Sequence, residues 1–196
     1  MGLGGSGGTT IATAAMRELP VGVPKLVVST VASGDTRAYV GVKDVTMMFS
    51  VVDIAGLNPI SRRILANGAA AISGMLGREV PPAEDRPLLA ATMFGVTTPC
   101  VDRMRERFEA QGYQVLVFHA TGSGGQAMEA LIDAGFIAGV ADMTTTEWCD
   151  EVVGGVLSAG PDRLSAADHT AHQHLVSRGA LDMVNFGPFD TVPERC

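Results

Sequence analysis

The stretch Val115-Leu-Val-Phe-His-Ala-Thr-Gly-Ser-Gly-Gly-Gln-Ala-Met-Glu-Ala-Leu131 decides how this chain reads. Val115 to Phe118 is apolar and β-rich. Ala120 to Gly125 breaks that run. Gln126 to Leu131 resumes with good helix formers. A buried strand, a glycine turn and a helix N-terminus together make the βα unit that binds phosphates. Glycine lets the backbone approach a ligand and adopt positive φ. The unbonded N–H groups and the dipole at the helix start then face an anion. Gly122 to Ala127 also fits the pattern G-x-G-x-x-G/A. The same residues equally suit a tight βα turn that holds no ligand.

An echo at the other end favours the binding reading. Gly5-Ser6-Gly7-Gly8 repeats the tetrapeptide Gly122-Ser123-Gly124-Gly125. Gly2 to Gly7 is a second G-x-G-x-x-G. Two such loops predict two like βα layers, each offering a helix N-terminus. Ser6, Thr9, Thr10, Thr121 and Ser123 have hydroxyls that suit either phosphate oxygens or their own helix ends. Neither loop carries the lysine of G-x-x-x-x-G-K-[ST], which argues against ordinary P-loop chemistry.

Composition bounds the answer. The 196 residues are 46% hydrophobic and 18% charged, which means a globular chain of one large domain or two small ones. Aromatic content is only 5%, so Ala, Val, Leu, Ile and Met supply the core, as in helices packed on a parallel sheet. A net charge of -7 disfavours nucleic-acid binding. No apolar run reaches membrane-span length, and no signal peptide is visible. The three cysteines, Cys100, Cys149 and Cys196, have neither metal nor disulfide spacing, so a reducing cytoplasm is expected.

In chain order, Ile11–Leu19 reads as a helix and Lys25–Val31 as a buried strand. Asp35 lies in the loop beyond that strand, either capping a turn or meeting a ligand. Val45–Val52 reads as a strand. Asn58 to Met75 reads as a helix, with Asn58 as N-cap and Pro59 at N1. No strand precedes Gly2 in this reading, which predicts one missing upstream. Residues 77–86, with Pro81-Pro82 and five charges, form a linker. A new series then begins: strand Leu88–Phe94, a helix capped by Thr98 and ended at Gly112, strand Tyr113–His119, the glycine loop, and helix Gln126–Ala134. Strand Phe136–Asp142 follows. Thr144-Thr145-Thr146-Glu147 reads as a capping box opening a helix to about Val156. A short helix over Pro161–Ala167 and a weak strand signal in Leu175–Val184 complete the chain. The strand–helix alternation predicts an α/β fold of two Rossmann-like subdomains with parallel sheets flanked by helices. Residues 1–80 would be the C-terminal part of the first, and 87–196 the second.

Asp142 closes a strand about where a ribose-binding acid sits in dinucleotide sites, or it acts as a cap. Thr144 and Thr145 add another helix N-terminus beside it. His119 and Glu147 are the candidate catalytic acid–base residues, although Glu147 fits the capping box better. His169, His172 and His174 crowd a polar stretch without the fixed spacing of a metal site.

Several stretches taken together resemble one family. They are Gly4–Thr9 with Ile11–Met16, Leu19–Lys25, Ser29–Asp35, Met93–Cys100, Phe118–Gly125, Gly154–Leu164 and Gly179–Phe186. The family is the Tm-one-like ATP-binding proteins, whose best-known member is a plant tobamovirus-resistance protein. The resemblance spans nearly the whole chain, and family members are roughly twice as long, so the chain matches their middle. It implies two Rossmann-like subdomains, ATP with Mg²⁺ held at the glycine loops, and a homodimer. Three functional classes follow. One is a nucleotide-binding protein, with Gly5 to Thr9, Thr121 to Gly125, Asp142, Thr144 and Thr145 around the ligand. A second is a hydrolase or transferase acting on a phosphorylated or carboxylated small molecule. A third is a purely structural or regulatory binding module.

Overall fold

A computed structural model describes residues 1–82, 84–188, 190, 192 and 194. Cys196 and the His169 side chain, both named above, lie outside the described residues. The chain forms two compact units, Met1–Ala83 and Glu84–Cys196.

Unit 1 is built on a sheet ordered β1-β2-β3, from β1 (Gly2–Gly4), β2 (Leu26–Ser29) and β3 (Thr46–Phe49). Every pairing is parallel. The expected upstream strand is Gly2–Gly4 itself: it pairs in register with Val27, Val28 and Ser29. Three residues, two of them glycine, carry no apolar run, so sequence pattern cannot reveal such a strand. Between β1 and β2 runs α1 (Ser6–Arg17). It starts five residues before the expected Ile11, because Ser6, Gly7 and Gly8 form its first turn and not a loop ahead of it. A short α2 (Arg37–Val40) precedes β3, and α3 (Pro59–Gly77) follows it.

The run Leu26-Val27-Val28 is fully buried, because helices cover both faces of β2. A Cβ on Gly2 would lie 2.6 Å from Ala12 Cβ of α1 and 3.4 Å from Val27, so α1 packs on that face. A Cβ on Gly68 would lie 2.9 Å from Val28, which sets α3 on the other face. The Asn58 cap forms as read: its side chain accepts from Ile60 N–H and Ser61 N–H, and Ser61 Oγ accepts in return from Asn58 N–H.

Unit 2 has a sheet ordered β5-β4-β6-β7, again wholly parallel. Its strands are β4 (Leu88–Met93), β5 (Gln114–His119), β6 (Gly139–Asp142) and β7 (Gln173–Val176). Its helices are α4 (Thr98–Glu109), α5 (Ser123–Asp133) and α6 (Thr146–Val153). Side-chain alternation divides the core. Ala90 and Val140 pack with Met128 and Ile132 of α5 and with Ala166, while Ala91 and Val115 pack with Val101, Met104 and Phe108 of α4.

Several boundaries move. The α4 N-cap is Thr97 and not Thr98, since a 3₁₀ turn over Gly95–Thr97 feeds the helix. The helix expected at Pro161–Ala167 is a turn followed by a 3₁₀ segment, Ser165–His169. The strand signal in Leu175–Val184 resolves into β7, which ends at Val176. Among the described residues no helix is long and apolar enough to cross a membrane.

Candidate functional site: two glycine loops with opposite fates

The first loop leaves β1 at Gly4 and enters α1 through Gly5, whose φ of -76° is open to any residue. Two of its glycines serve packing. A Cβ on Gly4 would lie 2.7 Å from Gly8 Cα, and one on Gly8 would lie 3.1 Å from the Leu3 carbonyl oxygen. Gly7 differs, since a Cβ there meets nothing within 4 Å. Ser6, Gly7 and Gly8 are exposed. The first intrahelical bond of α1 is Thr9 N–H to Gly5 carbonyl, at 2.9 Å. The N–H groups of Ser6, Gly7 and Gly8 therefore have no acceptor among the described residues. No side chain caps this end, and its first turn holds no acidic residue.

Thr9 does not face a ligand. It is fully buried, and its hydroxyl lies 2.5 Å from Ser29 Oγ, tying α1 to the end of β2. The same edge gathers the loops after β2 and β3. Thr30 N–H donates to Gly4 carbonyl at 3.2 Å, and Ser50 N–H to Ser29 carbonyl at 3.0 Å. Val51 beside it has φ 63°, a strained conformation for a β-branched residue. Asp35 caps the turn into α2: its Oδ1 accepts from Arg37 N–H, and Oδ2 lies 2.6 Å from Arg37 Nη2. The Arg37 hydrogen bonds hold this exposed carboxyl down at about 2.

The second loop has the same tetrapeptide but an occupant of its own. Gly122, at φ 83°, is the N-cap of α5. Its N–H donates to Glu147 Oε1 at 2.7 Å, and Gly125 N–H donates to the same oxygen at 3.1 Å. Arg163 Nε donates to Glu147 Oε2 at 2.8 Å. Where a phosphate is expected, a carboxylate of the chain already sits. The glycines face protein and not ligand. A Cβ on Gly124 would overlap the His119 carbonyl oxygen, and one on Gly125 would overlap Glu147 Oε2 and lie 2.7 Å from Arg163 Nε. The expectation that Gly125 approaches an external anion is therefore corrected: the anion it meets is Glu147. Ser123 remains exposed at the loop tip, and the Thr121 hydroxyl donates to the His119 carbonyl at 3.3 Å.

Arg163 is the hub of this arrangement and is 3% exposed. Its guanidinium also bonds Glu129 Oε1 at 3.0 Å and pairs with Asp142 Oδ2 at 2.7 Å. Glu129 further accepts from Leu164 N–H and Ala166 N–H, and Asp142 Oδ1 accepts from the Thr92 hydroxyl at 2.5 Å. Asp142 is thus a fully buried structural acid; its carboxylate is spent on Thr92 and Arg163, not held out to a ribose. Burial pushes the Asp142 carboxyl above its usual range, and the Arg163 charge and the Thr92 bond only partly offset this. Burial does the same to Glu147 against its bonds to Arg163, Gly122 and Gly125.

The capping box does not form. The α6 N-cap is Thr145, with no side-chain cap bond, and Thr144 N–H donates to Thr92 Oγ1 at 2.9 Å instead of to Glu147. Buried Thr144 also lies 2.6 Å, hydroxyl to hydroxyl, from Thr97, and the Thr145 hydroxyl donates to the Ser177 carbonyl at 3.1 Å. The Thr92 and Thr97 contacts join the ends of β4 and β6, the neighbouring strands on either side of which the chain places β5 and β7. His119 is exposed, with its ring edge-on to Phe94 at 5.4 Å. Among the described residues no three His, Cys, Asp or Glu side chains are grouped to hold a metal.

Two models of the uncharacterised protein family UPF0261 match this chain, the N-terminal domain over residues 1–81 and the C-terminal domain over 86–196. The chain belongs to the UPF0261 family. A UPF0261 protein of Clostridium tetani is 63% identical over 193 residues, covering 98% of this chain and 48% of that protein. One from Rhizobium meliloti is 55% identical over 195 residues, 49% of its length. The tomato ToMV resistance protein Tm-1(GCR237) is 49% identical over 199 residues, which is 26% of its length. The Tm-one-like resemblance read from the motifs is borne out. The chain spans about half the length of these bacterial UPF0261 relatives, by the 48% and 49% coverage.

The two units of this UPF0261 chain carry opposite titration signs. Burial draws the Asp44 carboxyl up, but the Lys25 ammonium at 2.8 Å and the Gly22 N–H outweigh it and hold it below its usual 3.8. A depressed acid stabilises above its unfolded pKa, and that stability is lost as pH falls through the folded value. The raised Asp142 and Glu147 act the other way: their contribution is full below 3.8 and 4.5, and is lost as pH rises through the raised values. As pH falls through those raised values towards 4.5, unit 2 should therefore gain stability, and as it falls below 3.8 and through the folded Asp44 value, unit 1 should weaken. Trp148, the single tryptophan, reports unit 2 in thermal melts, and amide exchange in β2 reports unit 1. A unit 2 that loses stability as the pH is lowered towards 4.5 would contradict these signs.

Proposed function

We propose that unit 1 binds the phosphate group of a nucleotide such as ATP at the N-terminus of α1, on the N–H groups of Ser6, Gly7 and Gly8. The observation that carries this reading is the contrast between the loops. The same tetrapeptide begins both helices, yet only the second is satisfied from within. Open donors, an uncapped dipole and a glycine whose Cβ would meet only open space are what a bound phosphate needs. The Ser6 hydroxyl adds a further donor. Mg²⁺ would arrive on the nucleotide's own phosphates and not in a cage of protein carboxylates. Binding is favoured over acid–base turnover because both oxygens of Glu147 are engaged by Gly122, Gly125 and Arg163.

Gly7→Asp tests this reading. Its φ is not in the left-handed region, and the new Cβ has room. A carboxylate in the first turn should stabilise α1 by about 0.3–1 kcal/mol. It should also weaken Mg-ATP binding at least tenfold in calorimetry, and more than the neutral Gly7→Asn does. Unchanged affinity in folded Gly7→Asp would overturn the assignment.

A further inference from the structure

The sheet of unit 2 is covered unevenly. One face carries α5 and the Ala166 turn; on the other, among the described residues, the core cluster is closed by α4 residues and Met143. Beside α4 the surface over β6 and β7 is an open groove of about 610 Å³. Its floor is Gly139, Ala141 and Leu175, and its α4 wall is Met104 and Phe108. Leu175 and its neighbour Val176 are 59% and 50% exposed on an edge strand. Parallel sheets are normally buried on both faces, and two strands spaced about 4.8 Å apart present the width of one α-helix, roughly 10 Å.

The rim of the groove has a sign. Arg103 and Arg107 stand on α4 in the hollow that continues over Met104 and Phe108. Arg105 is the arginine of this helix that pairs, with Asp102 and Glu109; Arg103 and Arg107 have no ion-pair partner among the described residues. On a chain of net charge -7, two free guanidinium groups beside an apolar trough are a local complement for acid.

We propose that this groove seats an amphipathic α-helix with an acidic flank, supplied by the part of the family-length proteins outside the region matched here. The matched region is 48% of the C. tetani relative, so that protein has as much polypeptide again to supply it. The apolar stripe of the helix would cover Ala141, Leu175 and Phe108, and its carboxylates would meet Arg103 and Arg107.

The test is cysteine accessibility. Leu175→Cys, a conservative change at an exposed site, is made in this chain and at the aligned position of the full-length C. tetani protein. Maleimide labelling at that site is followed by peptide mass spectrometry. The proposal expects rapid labelling in this chain and labelling at least a hundredfold slower in the full-length protein. Replacing the residues aligned with Arg103 and Arg107 by Glu in the full-length protein should restore it at least tenfold. Equal labelling in both proteins would overturn the proposal, and protection unaffected by the charge reversal would overturn the acidic flank. Protection already present in this chain, together with a dimer in light scattering, would assign the groove to a second copy instead.

Discussion

Arg163→Met will destabilise unit 2 by about 3–5 kcal/mol, the usual cost of removing one partner from a buried ionic cluster. The methionine keeps most of the volume and removes only the cation. Glu129, Asp142 and Glu147 then lose the one guanidinium they share, with Asp142 and Glu147 both out of water. Urea unfolding followed by Trp148 fluorescence measures the loss. The same variant should recover stability on acidification more steeply than the wild type, because the orphaned carboxylates can take up protons. Arg163→Lys should fall between the two, since an ammonium cannot present three separated donors to three carboxylates. A loss below about 1 kcal/mol in Arg163→Met would mean that water or rearrangement satisfies these acids and the hub is not structural.

Gly124→Ala will cost about 3 kcal/mol, at the upper end of ordinary overpacking. The new methyl would overlap the carbonyl oxygen of His119, a backbone atom that moves only if β5 moves. That displacement pulls Gly122 and Gly125 away from Glu147. The loss is one of folding and needs no ligand, so substitution at Gly124 cannot report on nucleotide binding. Gly7→Ala is the matched control in the other loop. It meets open space and should be neutral to stabilising, by up to about 1 kcal/mol, because alanine outranks glycine in a helix. The two variants together, compared in thermal melts, separate a glycine kept for packing from one kept open. Equal losses in both would contradict the distinction drawn between the loops.

Much of the fold was legible because the signals were local. Leu26 to Ser29 and Leu88 to Met93 are apolar runs of strand length, and Asn58-Pro59 is a cap and first-turn pair that chain order alone reveals. The likeness between Gly5–Gly8 and Gly122–Gly125 marked two strand-to-helix turns, although both helices begin within the tetrapeptide and not after it. It did not show that one start was occupied. That fact depends on Glu147, 25 residues beyond Gly122, and on Arg163, 16 beyond Glu147. No periodicity links such positions; the sheet order brings them together by placing β6 next to β4. Glu147 was read as a capping-box partner because Thr144 stands three residues before it. The backbone N–H of Thr144 is instead taken by Thr92 Oγ1 from the neighbouring strand, and the glutamate is left to turn towards α5. Arg163 and Glu129 lay inside the stretches read but were given no role, since an arginine in Gly-Pro-Asp-Arg and a glutamate in a helix both resemble surface residues. β1 was missed for a related reason, since Gly2-Leu3-Gly4 is a strand only because Val27 and Val28 lie beside it.

One glycine loop is open to an anion, and its twin is filled by Glu147. Backbone amide resonances test it directly, in an ¹H–¹⁵N titration of the wild-type chain with Mg-ATP and, separately, inorganic phosphate. Saturable shifts are expected at Ser6, Gly7 and Gly8 with either ligand, while Gly122 and Gly125 stay where they are. Shifts at Gly122 and Gly125 with Ser6 to Gly8 silent would contradict it.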